Sequence, residues 1–205
     1  MKKTTLLILL VLFIVPSFAQ KVSDVFTKKT MTFYGLDFSN AKLIGSSTFV
    51  DPQTVKSKWY REWNDLMKIE RKKYNVQKFY KKRIASYYFS IANERNKLPT
   101  VSRMVIDEDH NISKALLDRI ITKYRDSEHE GLGLVYIVES LNAYDKEMRI
   151  WVTFFDIKSH KILLTELFTG KAGGAGFRNY WARAYYNVMR QSEKAFKDWE
   201  LLYTE

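Results

Sequence analysis

LGLVYIVESL (132–141), MRIWVTFFDI (148–157), KILLTELFTG (161–170) and KAGGAGFRNYW (171–181) succeed one another between Gly131 and Trp199, and their periodicities decide the fold. Met148, Ile150, Val152 and Phe154 alternate with Arg149, Trp151, Thr153 and Phe155, the period of two that sends successive side chains to opposite faces of a sheet. After the polar reversal Asp156, Lys158, Ser159, His160, alternation resumes at Ile162, Leu164, Glu166 and Phe168, which predicts an antiparallel hairpin. Leu132 to Val138 is continuously apolar, as expected of a central strand covered on both faces. Beyond Gly176 the period changes. Phe177, Trp181, Ala184, Tyr185, Val188, Ser192, Ala195, Phe196 and Trp199 recur at three and four, so a long helix lays an aromatic stripe on the sheet.

Outward from this stretch, MTFYGLDF (31–38) reads as a strand, and Asp51-Pro52 as a helix start with a carboxylate cap and a proline at the first helical position. Val55, Trp59, Trp63, Leu66 and Ile69 carry that helix to about Lys73. Asn75 to Arg83 accommodates a second short helix, Ile84 to Ile91 a strand, Asn93 to Thr100 a loop, and Val101 to Ile106 a short edge strand. Asp107, Asp109 and Asn111 alternate like the opening of a calcium loop, but Ile112 stands where the sharp turn needs glycine, so the segment is read as the acidic start of a helix with Ile112, Leu116, Ile120 and Ile121 buried. The expected architecture is α+β: one domain over 20–205, a mixed sheet ending in an antiparallel meander, packed against amphipathic helices.

Lys2, Lys3, the apolar run Leu6–Val15 and the ending Pro16-Ser17-Phe18-Ala19 form the three regions of a secretory signal peptide, with cleavage expected after Ala19. The chain is therefore expected to be exported, periplasmic or secreted, with no membrane span after cleavage and, lacking a cysteine behind the apolar run, no lipid anchor. The absence of cysteine from the whole sequence excludes disulfides, thiol nucleophiles and cysteine metal sites. Net charge is +11, or about +9 once Lys2 and Lys3 are subtracted, which favours a neutral or acidic partner; outside the cell that means an envelope protein or anionic envelope component and not nucleic acid.

Three surfaces are candidates. Eleven Lys/Arg against three Asp/Glu between Lys56 and Arg83 suggest a basic face, represented by Lys68, Arg71, Lys72, Lys78, Lys81 and Lys82. The glycine corner, with Lys171, Gly173, Gly174, Gly176 and Arg178, could seat an anion at a helix N-terminus or simply turn the chain tightly. The sheet face Arg149, Trp151, Thr153, Phe155 is a partner surface if helices cover one side of the sheet, and core if they cover both. His110, His129 and His160 have no partner at metal-ligand or triad spacing, and HExxH and GxSxG are absent, so no enzyme and no cofactor is expected.

The predicted order strand, helix, strand, helix, three antiparallel strands, helix, with VTFFDIKSHKIL (152–163), resembles the small periplasmic α/β modules of TolB amino-terminal domains, the curli secretion lipoprotein and lipoprotein activators of penicillin-binding proteins. In those families an Asp, a short turn and an aliphatic strand form the penultimate hairpin, matched here by Asp156, Lys158, Lys161 and Ile162. The block GKAGGAGFRNYW (170–181) is also similar to one in uncharacterised secreted bacterial proteins. The resemblance implies fold and compartment, not activity. The resulting expectation is an exported, non-enzymatic accessory module acting on an envelope protein; the alternative is a small-molecule or anion binder using the glycine corner.

Overall fold

The computed structural model describes residues 21–204; the predicted signal peptide lies outside the described residues. The elements are α1 (Asp24–Thr27), β1 (Thr30–Asp37), β2 (Lys42–Ile44), α2 (Pro52–Thr54), a π-helical segment (Val55–Trp59), α3 (Tyr60–Ile69), α4 (Val76–Phe79), β3 (Ile84–Tyr87), α5 (Ser90–Arg95), a 3₁₀ turn (Val101–Arg103), β4 (Val105–Ile106), α6 (Lys114–Ile121), β5 (Leu132–Asn142), β6 (Glu147–Asp156), β7 (Ile162–Lys171) and α7 (Phe177–Thr204).

The seven strands among the described residues share one sheet centred on β5, every residue of which is buried. One edge of β5 carries β1 and then β2, which in turn pair with β3 and β4, all in parallel. The other edge carries the antiparallel series β6 and β7. Four of the six pairings are thus parallel, which corrects the expectation of a sheet characterised by its antiparallel meander. The error is traceable to strand length: β2 and β4 have three and two residues, too short to show any period.

Helices cover both faces. On one, α7 lays Trp181, Tyr185, Val188, Phe196 and Trp199 onto the core, joined by Tyr60 and Trp63 of α3 and Val76 of α4. On the other, Leu117, Ile120 and Ile121 of α6 pack with Tyr34, Tyr124, Val135, Ile137 and Phe155. Gly170 of β7 lets α7 approach closely: a Cβ there would stand 2.0 Å from the Ala184 carbonyl oxygen.

Local signals explain most boundaries. Asp51 Oδ1 accepts from Thr54 N at 3.0 Å, as the Asp-Pro start predicts, but the helix it opens passes through the π segment before α3 and ends at Ile69. Ser113 caps α6 through Leu116 N at 3.2 Å. The expected strand Ile84–Ile91 stops at Tyr87, and α5 takes its end and the first three residues of the expected loop Asn93–Thr100, the rest of which is turn and loop. The cause lies in β1, whose register with β5 shifts between Phe33 and Leu36 around Gly35 (φ +84°). That bulge ends the ladder with β3, and side chains replace the lost strand.

Candidate functional site

Two asparagines take the place of a strand beside the end of β1. Asn64 of α3 accepts from Leu36 N at 2.8 Å and donates to Leu36 O at 3.1 Å, pairing with both backbone groups of one residue as a neighbouring strand would. Asn96, at the end of α5, accepts from Phe38 N at 2.6 Å and donates to the same Leu36 carbonyl at 3.0 Å. Both are buried, where an unpaired amide would be costly. A further bond from Asn64 Nδ2 to Asn93 Oδ1, 2.9 Å, ties α3 to α5 directly.

Between these two helices lies a cleft of about 640 Å³, walled by Lys56 and Ser57 of the π segment, Tyr60, Arg61, Asp65 and Lys68 of α3, and Ser90, Asn93 and Glu94 of α5, with Asn96 and Lys97 behind them. It sits beside the carboxyl end of β1, the end of a parallel strand at which open α/β sheets place their ligands. Tyr60 stacks on Phe38 of the same chain end at 4.1 Å and 4°. Its hydroxyl is buried and has no hydrogen-bond partner among the described residues. Burial alone pushes its pKa far up, so it is a neutral hydroxyl with an unused donor. The lining holds four cationic side chains against two carboxylates. Arg61 faces Asp65 at 3.5 Å and Lys97 faces Glu94 at 2.6 Å, both exposed pairs that hold one another weakly. Lys56 donates to Pro99 O at 2.7 Å, and the Lys68 ammonium lies 4.7 Å over the Phe89 ring. Adjoining π-helical turns are frequent at functional sites because they reposition side chains within an otherwise regular helix.

Elsewhere the buried ionisable groups are committed to joining elements. Asp37 accepts from Arg95 Nε and from Tyr124 OH, each at 2.7 Å, and from Ser39 N at 2.8 Å. Burial, followed by the Asp37 charge, drives the Tyr124 pKa well up. Glu139 accepts from Ile112 N at 2.7 Å and Trp151 Nε1 at 2.9 Å and pairs with Arg149 at 2.9 Å, fixing α6 to the sheet. Asp126 accepts from Tyr34 OH at 2.7 Å, His129 Nδ1 at 2.9 Å, and the amides of Glu128 and His129. Burial of Asp126 opposes its ionisation, but these bonds outweigh that and hold its carboxyl below the usual range. Among the described residues no group of three or more His, Asp or Glu is disposed to hold a metal ion.

The sequence-derived surfaces fare differently. Thr153 and Phe155 are fully buried and Trp151 and Arg149 partly so, because α6 covers their side of the sheet; the proposed exposed partner face is therefore core and core margin. In the basic set, Lys82 is the exception: it is buried, and its ammonium donates to Lys28 O at 2.9 Å and to Val25 O at 2.5 Å, pinning the segment around α1. Burial, with Lys29 nearby, lowers its pKa to about 8. Lys68, Arg71, Lys72, Lys78 and Lys81 are exposed, but Arg71 lies 4.8 Å over Tyr87 and Lys81 pairs with Glu200, so the row is partly committed within the chain. At the glycine corner, Gly174 (φ +107°) and Gly176 (φ +76°) border a 420 Å³ recess with Lys146, Phe177 and Tyr180. Lys171, Gly173 and Arg178 do not line it. Lys171 instead reaches Glu147 at 2.7 Å, and the corner's cations do not converge on its glycines.

The α3/α5 cleft was missed in the sequence. Its signal was an asparagine in an apolar stripe: Tyr60, Trp63, Asn64 and Met67 occupy i, i+3, i+4, i+7, and all four are buried. Comparison with protein-family models, with curated proteins and with solved structures found no match.

Proposed function

We propose that this protein is an exported, non-enzymatic binding module and that the cleft between α3 and α5 holds a small polar ligand of the cell envelope. The carrying observation is a polar recess of about 640 Å³, within the range of small-molecule sites, whose walls carry four cations against two carboxylates. Export is supported by the sequence pattern of residues 1–19 and by the resemblance to periplasmic modules. A non-enzymatic role is supported by the use of Asp37, Glu139 and Asp126 as fasteners between elements. Docking of an envelope protein through the sheet loses its surface with Phe155 and Thr153 buried.

The test compares the chain beginning at Gln20 with its Ser57→Trp variant, in which an exposed serine of the cleft wall becomes a plug. Both are incubated with a low-molecular-weight envelope extract of the producing cell and analysed by native mass spectrometry. A mass carried by the unaltered chain and lost from the variant is expected. The same species on both chains, or none on either, overturns the assignment.

A further inference from the structure

The geometry points to an acidic sugar, a hydroxylated ring bearing one carboxylate, as the ligand class of the α3/α5 cleft. This rests on the reading of the cleft as a binding site and narrows it.

Three properties of the walls carry the inference. The first is charge: four cations face two carboxylates, so an occupant with a single negative charge is favoured over a neutral or cationic one. Both carboxylates already have cationic neighbours, Arg61 at 3.5 Å and Lys97 at 2.6 Å, whereas Lys68 is held only over the face of Phe89, 4.7 Å away. Lys68 is therefore the cation best placed to take an incoming carboxylate.

The second is the mixture of donors and acceptors. Ser57, Ser90 and Asn93 each offer both, and Asp65 and Glu94 accept. Each sugar hydroxyl is simultaneously a donor and an acceptor, and only a wall carrying both kinds of group satisfies several of them at once. A simple anion such as phosphate or acetate would use the cations and leave the paired donors and acceptors of Ser57 and Ser90 without a role.

The third is what the cleft lacks. Tyr60 is the only aromatic residue of its lining, and that ring is stacked on Phe38 at 4.1 Å. No sandwich of rings is offered to a nucleobase. No aliphatic side chain lines the cleft to receive an acyl chain. These absences in the wall disfavour nucleotides and lipids on chemical grounds and leave a polar, hydroxyl-rich anion.

Isothermal titration of the chain beginning at Gln20 tests this with glucuronate, glucose, acetate, inorganic phosphate and digalacturonate as probes. Glucuronate is expected to bind at least tenfold more tightly than glucose, acetate or phosphate, and Ser57→Trp to abolish that binding. Lys68→Gln removes the cation assigned to the carboxylate and is expected to weaken glucuronate about tenfold with little change in the melting temperature of the unliganded chain. Digalacturonate binding tighter than glucuronate identifies the end of an acidic polysaccharide as the source; the reverse order identifies a free sugar acid. Phosphate or acetate binding as tightly as glucuronate, with loss in Ser57→Trp, overturns the sugar assignment while the cleft remains a binding site. Glucose binding equally well removes the role of the charge. Absence of binding by all five probes overturns the inference, and the envelope-extract experiment then decides separately whether the cleft binds anything.

Discussion

Replacing Gly170 with alanine tests how α7 is seated on the sheet. The added Cβ would lie 2.0 Å from the Ala184 carbonyl oxygen, 2.9 Å from its carbon and 3.0 Å from Val188 Cγ2, so the obstacle is chiefly the backbone of a helix, which cannot swing aside like a side chain. An ordinary carbon–oxygen approach is about 3.3 Å or more, so strand and helix must separate by roughly 1.3 Å. A gap of about 0.5–1 Å already forfeits a quarter to a half of the dispersion attraction of each contact, and the side chains affected include Tyr185 and Val188. The expected cost is about 3 kcal/mol, the upper part of the usual range for overpacking. For a chain of this size that lowers the melting temperature by roughly 6–12 °C. Thermal unfolding followed by circular dichroism, with urea midpoints at unchanged slope, measures it. Gly173→Ala is the matched control: its Cβ would meet only the Arg183 side chain, at 3.5 Å, and its φ is not positive, so a change within about 0.5 kcal/mol is expected. If Gly170→Ala melts within 2 °C of the parent, the close seating of α7 on β7 is refuted.

Asp37→Asn leaves Arg95 as a buried charge without its counter-ion and weakens the bond from Tyr124; a loss of about 3–5 kcal/mol is expected in urea unfolding, and ligand affinity should fall with it because Arg95 belongs to α5. Lys82 gives a pH signature. Its folded-state pKa of about 8 lies below the unfolded value near 10.5, so the unfolded chain binds the extra proton between those values. The group's unfavourable contribution is full below pH 8 and is relieved as pH rises from 8 to 10.5, at up to about 1.4 kcal/mol per pH unit. Relative to Lys82→Met, the parent should therefore gain melting temperature across that window; a constant difference between the two would contradict the assignment.

The C-terminal part of the fold was readable because its elements are long: ten-residue strands and a 28-residue helix give several periods each, β6 and β7 lie within a residue or two of where alternation puts them, and α7 starts where the three-four spacing begins and runs to Thr204, past the last stripe residue Trp199. The N-terminal part was not, since the parallel partners β2 and β4 are shorter than two periods and β3 is ended by a distant bulge at Gly35 rather than by its own residues. Burial of Phe155 depends on where α6 lands, a tertiary fact that alternation leaves open. The cleft suffered the same way: the positive charge of α3 drew attention to its solvent side, while Asn64 and Asn96, whose partners are 28 and 60 residues away at Leu36, carry no local mark.

Those two asparagines also set the tempo of any encounter in the cleft. Both of its walls hang from one peptide oxygen, that of Leu36, and are cross-tied through Asn93. Widening the recess would mean rupturing bonds in the interior instead of bending a loop, so the occupant meets a gap already formed. Association should then be a single collision-controlled step: the observed rate climbs in proportion to ligand concentration and reaches no plateau, because no slower internal opening stands ahead of it.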